Sequence, residues 1–235
     1  MRDVWKEKYI LSPSLICLDM CNLEQQVYEL EREGIRMLHI DILDGVFSPS
    51  MPLGLETVRQ LRSITNLEFD CHVMTQNPKY YVEELLDIGV QQINVQIETI
   101  PHVDEMLNMI HRAGVRAGLA LKPATPLTDL EYVLEKCDCV LLMLINPGYA
   151  SVKGESQVPY AERKITELNS MINERKLETL VELDGRVSRE NICQFAGSRA
   201  NIFVAGSTCI SRQDIAASVL QLRNFIEKHL IQTGR

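Results

Sequence analysis

The sequence predicts an α/β protein that folds as a single-domain TIM (β/α)8 barrel over residues 1–235. Eight short apolar segments of strand type alternate with eight segments of helical type, and the length is normal for one such barrel. No linker or low-complexity tract interrupts the alternation. A doubly wound open sheet is the alternative. It is disfavoured because no G-x-G-x-x-G follows the first strand and no G-x-x-x-x-G-K-[ST] occurs in the chain.

The strands are predicted from short runs of β-branched and aliphatic residues that end at polar or glycine positions. They are Tyr9–Ile16, Met37–Ile42, Leu67–Val73, Gln92–Gln96, Arg116–Leu121, Cys139–Leu144, Thr179–Leu183 and Asn201–Ala205. The sixth is wholly apolar, as expected of a parallel strand that is covered on both faces.

The helices are predicted from apolar residues at helical spacing between capping and breaking residues. They are Leu23–Arg32, Leu55–Arg62, Pro78–Asp87, Val103–Arg112, Thr128–Glu135, Pro159–Arg175, Arg189–Phe195 and Gln213–His229. The third has the clearest ends, with Asn77 as the expected N-cap, Pro78 at the first position and Gly89 as the stop.

Composition excludes several classes of function. The formal net charge of −8 argues against binding to nucleic acid or to an anionic membrane surface. The seven cysteines are scattered and form no C-x-x-C pair, which favours reduced thiols in a cytoplasmic protein. The charged segment 1–8 is no signal peptide, and no apolar run is long enough to span a membrane.

Polar residues at the strand ends point to a metal site. His39 and Asp41 share one face of the second strand, and burying such a pair requires compensation. His72 and Asp184 end the third and seventh strands, at the same mouth of a barrel. Two imidazoles and two carboxylates suit one divalent ion, namely zinc, manganese, iron or cobalt.

Each of these four residues also has a purely structural interpretation. His39 and Asp41 could form a hydrogen-bonded core pair, His72 could pack in the core, and Asp184 could cap the next helix. For any one residue the structural interpretation is at least as well supported as the metal-ligand interpretation. Four such residues at matching strand ends, however, favour the metal site.

Three loops at the same barrel mouth predict an anion site. Asp184–Arg186 and Ala205–Thr208 follow strands seven and eight, where barrels often bind phosphate, and Asn146–Ser151 could close over them. Glycines there let backbone N–H groups approach an anion. The alternative is that these are ordinary turn glycines.

Motifs in most of the chain resemble the ribulose-phosphate 3-epimerase family. They run from about Ser12 to about Ser207 and comprise Ser12–Leu15, His39–Gly45, Asp70–Met74, Gly118–Pro126, Asn146–Tyr149, Glu182–Gly185 and Val204–Ser207. The resemblance implies a TIM barrel, a divalent metal bound by His39, Asp41, His72 and Asp184, and assembly into a homo-oligomer. It also implies that Asp41 and Asp184 are the catalytic acid/base pair.

The resemblance further implies a substrate site that includes a methionine cushion at Met74 and a contact from Ser14. Together with the loops, the predicted substrate-binding residues are Ser14, His72, Met74, Gly148, Gly185, Arg186, Gly206 and Ser207. The chemistry is consistent with these roles: two carboxylates flanking a ketose can remove and return a proton on opposite faces of C3, and a metal can stabilise the enediolate between the steps.

The sequence departs from the family pattern in four places. Leu43 replaces a methionine, Gln96 replaces a histidine, Ser151 and Val152 replace Gly-Gln, and Arg186 replaces the second glycine after Asp184. The metal and acid/base residues are retained while the substrate end is altered. We therefore expect the same chemistry on a different substrate, with Arg186 either clamping an anion or lying on the surface.

The sequence thus predicts a metal-dependent isomerase, a carbohydrate 3-epimerase acting on a pentulose, hexulose or tetrulose phosphate. The alternatives are an epimerase of an unphosphorylated or otherwise modified ketose and a non-catalytic barrel that binds a sugar phosphate. A lyase or decarboxylase of the wider phosphate-binding barrels ranks low, because the cluster Asp41–Asp44 lacks their lysine.

Overall fold

The computed structural model describes residues 3–148, 152–196, 199–207 and 209–232. Eight parallel strands occur in it: β1 Ile10–Pro13, β2 Met37–Leu43, β3 Glu68–Met74, β4 Gln92–Gln96, β5 Arg116–Leu121, β6 Cys139–Met143, β7 Leu180–Asp184 and β8 Ile202–Ala205. Seven α-helices occur in the described residues: α1 Leu23–Arg32, α2 Leu55–Arg62, α3 Pro78–Ile88, α4 Val103–Arg112, α5 Ala161–Glu174, α6 Arg189–Phe195 and α7 Ile215–Gln232.

The strands form one sheet that closes on itself. Its order is β1-β8-β7-β6-β5-β4-β3-β2, and every pairing is parallel. A bridge between Ser14 and His39 joins β1 to β2 and completes the ring. The predicted TIM barrel is confirmed and the open-sheet alternative is wrong, because β1 and β8 are neighbours. That the domain takes in all of residues 1–235 stays a prediction.

One predicted helix is wrong. Thr128–Glu135 does not form an α-helix but lies in two short 3-10 segments, Leu127–Leu130 and Leu134–Lys136. Leu127 and Leu130 are both buried and stand three residues apart, the period of a 3-10 turn, so this tighter helix buries them after Pro126. The barrel is therefore flanked by seven α-helices rather than eight in the described part of the chain.

The two ends of α3 show which of the residues predicted to begin and end this helix do so. Pro78 occupies the first turn, and Gly89 ends the helix in the left-handed conformation with φ 85°. A residue with a side chain is strained there, which is why glycine is a reliable stop. Asn77 is the N-cap, as predicted, although its side chain makes no capping hydrogen bond.

Side chains that point into the barrel form layers of different character. The layer at the amino-terminal end is apolar and contains Ile10, Met37, Cys139 and Ile202, with Val4 packed against it. The next layer is polar and fully buried, and its members are Ser12, His39, Asp70, Gln92, Asn94 and Glu182. Above it, Asp41 and His72 are register partners on β2 and β3 at the carboxyl-terminal mouth. A polar layer inside a parallel barrel requires internal partners, and it directs attention to this mouth.

None of the helices in the described residues is long and apolar enough to cross a membrane.

Candidate metal centre and active site

The structure brings the four predicted metal ligands together at the barrel mouth. One ligand atom from each of His39, Asp41, His72 and Asp184 lies within 4.8 Å of the others. Asp41 Oδ1 stands 3.3 Å from His39 Nε2 and 3.5 Å from His72 Nδ1, and Asp184 Oδ2 is 3.7 Å from His72 Nδ1. Both imidazoles are fully buried, whereas the Asp184 side chain is 17% exposed. The cluster is thus enclosed on the barrel side and open toward the mouth.

Each imidazole turns one unpaired nitrogen toward this cluster. His39 Nε2 and His72 Nδ1 are buried without a hydrogen-bond partner among the described residues. An unsatisfied buried nitrogen costs about 1–3 kcal/mol, and a metal ion would satisfy both lone pairs at once. Two nitrogens and two carboxylates aimed at one point form a suitable donor set for a divalent cation.

The other nitrogen of each ring is bound to an anchoring side chain. His39 Nδ1 lies 2.8 Å from Asp70 Oδ2. His72 Nε2 donates to the side-chain oxygen of Gln96 at 2.9 Å, and the Gln96 amide nitrogen donates to Glu98 Oε2 at 2.6 Å. This orientation of the amide satisfies both of its ends and leaves His72 Nδ1 as the basic nitrogen.

Electrostatics at the cluster favour a cation. Burial opposes a charge on His39, but Asp41 and Asp70 outweigh it and raise the pKa of this imidazole well above its ordinary value. The attraction that would hold a proton there would equally hold a metal ion. The site therefore has an excess of negative charge, in keeping with a positively charged ligand.

The two cavity carboxylates have their pKa values displaced in opposite directions. Burial raises the pKa of Asp184, and the neighbouring charge of Asp41 raises it further. Burial also acts to raise the pKa of Asp41, but His39 and His72 lower it overall to well below its usual range. Ser14 Oγ donates to Asp41 Oδ2 at 3.2 Å. The surroundings thus displace the pKa values of the two carboxyl groups in opposite directions, a pairing suited to acid/base work.

Asp184 does not cap the helix that follows it. Ser188 is the N-cap of α6, and a reciprocal pair of hydrogen bonds with Asn191 forms a capping box. The structural interpretation of Asp184, as the cap of the next helix, is therefore wrong. Sequence reasoning overlooked Ser188, although a serine just before the predicted start at Arg189 was the available signal.

A cavity of about 280 Å³ opens above the cluster. Seven of the eight predicted substrate-binding residues line it, and they are Ser14, Met74, Gly148, Gly185, Arg186, Gly206 and Ser207. His72 is absent from the lining and lies beneath it. A larger depression of about 590 Å³ lies elsewhere, around residues 3–11 with Arg36 and Arg223, and contains none of the candidate catalytic side chains.

Apolar side chains surround the reactive part of the cavity. Leu43 and Met74 pack with Met143 and Leu141 in one small cluster inside the barrel mouth. Three of these, Leu43, Met74 and Met143, also line the cavity. Such a wall limits the access of water to charged intermediates.

The loops at the far end of the cavity are tied to each other. Gln157 Nε2 donates to the carbonyl oxygens of Gly185 and Arg186 at 3.0 and 3.1 Å. Arg186 NH2 donates to the carbonyl of Val152 at 2.9 Å, and its own backbone is left-handed with φ 49°. A β-carbon on Gly148 would lie 1.8 Å from Ser48 Oγ, so glycine there permits two loops to touch. Tyr149, Ala150, Ser151 and Thr208, which also fall in the predicted anion loops, lie outside the described residues.

The residues that sequence reasoning left without a role are the ones behind the imidazoles. Asp70 and Gln96 anchor the two rings, and Gln92, Asn94 and Glu182 complete the polar layer. The available signal was alternation: Gln92, Asn94 and Gln96 place three polar side chains on one face of β4, inside a parallel barrel.

Comparison with known proteins supplies the family. The model of the ribulose-phosphate 3 epimerase family matches residues 10–210. A Synechocystis protein named ribulose-phosphate 3-epimerase is 34% identical over 217 residues, which cover 92% of this chain and 93% of that protein. A Bacillus subtilis protein of the same name is 32% identical over 214 residues, covering 91% of this chain and 97% of its own length.

Solved structures agree on the fold. KGPDC from Streptococcus mutans superposes with a TM-score of 0.69 at 14% identity, covering 94% of this chain and 99% of that one. Phosphoribosyl anthranilate isomerase from Thermus thermophilus gives a TM-score of 0.63 at 15% identity and covers 92% of this chain and 98% of its own. The family match and the two curated relatives show that this chain belongs to the ribulose-phosphate 3-epimerase family.

Proposed function

We propose that the protein is a metal-dependent isomerase that inverts C3 of a ketose phosphate, with Asp41 and Asp184 as its acid/base pair. One observation carries the proposal above all: two buried imidazole nitrogens that make no hydrogen bond in the described part of the chain face two carboxylates, and ligand atoms of all four residues lie within 4.8 Å of one another. A structural core would not leave those nitrogens unsatisfied. Family membership supplies the reaction class, that of a carbohydrate epimerase.

His39, Asp41, His72 and Asp184 would hold the metal ion, and zinc, manganese, iron or cobalt fits a set of two nitrogens and two carboxylates. When bound, the ion would stabilise the negative charge that develops on the substrate oxygens as C3 loses its proton. The imidazoles would bind it through Nε2 of His39 and Nδ1 of His72, since their other nitrogens are engaged.

The two carboxylates would transfer the protons. One of them accepts the proton from one face of C3, and the other, protonated at the start of the step, donates to the opposite face. In the reverse direction the two exchange roles. Ser14 Oγ steadies Asp41 by donating to its second oxygen. Leu43, Met74 and Met143 exclude water while the carbon is deprotonated.

The opposite end of the cavity would hold the phosphate. Gly148, Gly185, Gly206 and Ser207 line this end, and their backbones can approach an anion closely. Arg186 also lines the cavity, and charge-assisted hydrogen bonds from an arginine guanidinium suit phosphate geometry. Arg186 is also a local positive charge in a protein whose net charge is negative.

A second candidate is an epimerase of a ketose with a different anionic or neutral end. The observation that favours it is Arg186, which introduces a long side chain at the cavity wall where the family pattern has glycine. A non-catalytic sugar-phosphate-binding barrel is disfavoured because both carboxylates and both imidazoles are retained in one cluster.

Isotope exchange at C3 tests the proposal. The metal-loaded protein is incubated in heavy water with phosphorylated and free ketoses, and loss of the C3 proton is followed by NMR. We expect exchange and inversion with at least one ketose phosphate. Exchange with free ketoses alone would show that the substrate is not a ketose phosphate. Tight binding of a ketose phosphate without exchange would favour the non-catalytic barrel.

The expected cytoplasmic location and homo-oligomeric state belong to the same proposal. The seven cysteines all lie in the described residues as free thiols, which supports a reducing compartment. Cell fractionation tests the location. Light scattering coupled to size exclusion tests the assembly, and a mass near the 26.7 kDa of one chain would contradict it.

A further inference from the structure

A fully buried carboxylate lies directly behind the metal-facing side of His39. Asp70 Oδ2 is 2.8 Å from His39 Nδ1, and both side chains are 0% exposed. We propose that Asp70 is a positioning residue: it holds the His39 ring with Nδ1 protonated, so that Nε2 presents its lone pair to the metal. This inference rests on the proposed function, since it concerns the same metal centre.

Asp70 is itself held so that it cannot turn away from His39. Its second oxygen, Oδ1, accepts from Gln92 Nε2 at 2.9 Å and from Asn94 Nδ2 at 3.0 Å. The same two amides donate to Glu182 Oε2 at 3.2 and 2.9 Å. All of these side chains are 0% exposed. Both oxygens of Asp70 are thus occupied, and the ring of His39 is fixed by a rigid partner.

The hydrogen-bond network around Asp70 fits inside the barrel because β5 has a glycine, Gly118, beside Asn94. A β-carbon on Gly118 would lie 1.9 Å from Asn94 Oδ1 and 2.9 Å from the carbonyl oxygen of Cys139. Only a glycine on β5 therefore allows the Asn94 amide to reach Asp70. The close approach is at a strand interior, where glycine otherwise weakens a sheet.

A purely structural role for the contact between Asp70 and His39 would not explain the environment of the other ring nitrogen of His39. His39 Nε2 makes no hydrogen bond with any described residue and lies 3.3 Å from Asp41 Oδ1, although a core histidine would have both nitrogens hydrogen-bonded. His72 repeats the arrangement with different residues: Gln96 binds its Nε2, and Nδ1 is left unpaired toward the same point. Two rings anchored from behind and unpaired in front indicate that the anchors serve the ligands.

Cobalt binding tests the inference without relying on turnover. Asp70→Asn keeps the volume, but the amide cannot accept from His39 and from both amide donors at once. We expect its cobalt affinity, measured by competition with a chelator, to fall about 10–100-fold. The visible absorption bands of bound cobalt should also change, because the His39 nitrogen no longer approaches in one fixed direction.

The matched control is Asp138→Asn. Asp138 makes the same type of contact, 2.8 Å from His111 Nε2, but on the surface with 34% of its side chain exposed. We expect this variant to keep the cobalt affinity and spectrum of the unchanged protein. Any general loss of stability from removing a histidine-bound carboxylate would appear in both variants.

A second variant covers the case in which Asp70→Asn does not fold. Asn94→Ala removes one donor to Asp70 while leaving the carboxylate in place, and we expect cobalt affinity to drop about three- to tenfold. Unchanged affinity and spectrum in folded variants would overturn the positioning role and leave the proposed function intact. Failure of the unchanged protein to bind cobalt would instead contradict the proposed metal centre itself.

Discussion

Asp41 and Asp184 are the same residue type in the same cavity, yet their surroundings separate them. Asp41 lies against two imidazoles, which lower its pKa, whereas Asp184 is desolvated beside the charge of Asp41, which raises its pKa. In the proposed two-base inversion, the difference between the two carboxylates would come from their positions, because the chemistry of the two side chains is identical.

Asp184→Asn should abolish inversion, because an amide can neither accept nor donate the proton at C3. We expect kcat to fall by about 10²–10⁴-fold at saturating metal. The measurement is the rate of C3 exchange on the ketose phosphate, with metal content determined on the same sample. A variant that is fully metal-loaded and retains more than half of the rate would contradict the role of Asp184.

Arg186→Gly should weaken binding of the phosphorylated substrate while sparing the chemistry. Loss of a charge-assisted contact raises KM by about tenfold or more, and kcat changes little. Glycine suits the left-handed backbone at this position, φ 49°, so folding is not impaired. The control is Arg189→Ala, which removes an exposed arginine of α6 outside the cavity lining. Equal KM values for the two variants would place Arg186 outside substrate recognition.

At the scale of elements, local signals predicted the ends of several helices more closely than the ends of most strands. The bounds of α1, α2, α4 and α6 agree with prediction to the residue. Helix periodicity and end residues are local properties, so short sequence windows contain them. The prediction for the region Leu127–Lys136 failed because Leu127, Leu130 and Leu134 have α-helical spacing, whereas the chain there buries all three in two separate 3-10 segments.

Asp44 shows how one side chain fixes the loop between β2 and α2. Its Oδ1 accepts from the N–H groups of Val46 and Phe47 at 2.9 and 2.8 Å, and Oδ2 accepts from Gln76 N at 2.7 Å. Partial burial acts to raise the pKa of Asp44, but these three N–H groups lower it overall. The ionised carboxylate thus ties the loop at the cavity entrance to the end of β3.

Asp44→Asn should reduce the free energy of unfolding by about 1 kcal/mol at pH 7, because the amide loses one of the two accepting oxygens. The folded pKa is depressed, so this contribution is fully present above the unfolded value near pH 3.9 and is lost as pH falls through the folded pKa. Urea unfolding at pH 7 and pH 3.5 measures the difference between the two proteins. A difference that stays constant with pH would show that ionisation of Asp44 contributes nothing.

At the scale of the whole molecule, the proposed metal site links elements that are distant in sequence. Its candidate ligands lie on β2, β3 and β7, so an ion bound there would connect opposite sides of the barrel. A ligand that binds only the folded state stabilises it in proportion to the logarithm of its concentration over Kd. Without the ion, the excess negative charge at the mouth is uncompensated.

Saturation with a divalent metal should therefore raise the melting temperature. A concentration of 100 times Kd adds about 2.7 kcal/mol, which corresponds to about 5–10 °C for a chain of this size. Calorimetry of chelator-treated protein, with and without added zinc, manganese or cobalt, measures the shift. His72→Leu, which lacks both ring nitrogens, should show none; a similar shift in this variant would mean that the ion binds elsewhere.

The sequence by itself determined the barrel, the strand ends and the residue types at its mouth. Strand alternation is a local rule, so His39 and Asp41 had to share a face, and the parallel order had to bring His72 and Asp184 to the same end. The tertiary structure alone decided which nitrogen of each imidazole faces the cluster and in which direction the surroundings shift the pKa of each carboxylate. Those properties depend on contacts from strands far apart in the chain, such as Asp70 behind His39, and on burial, which no local pattern specifies.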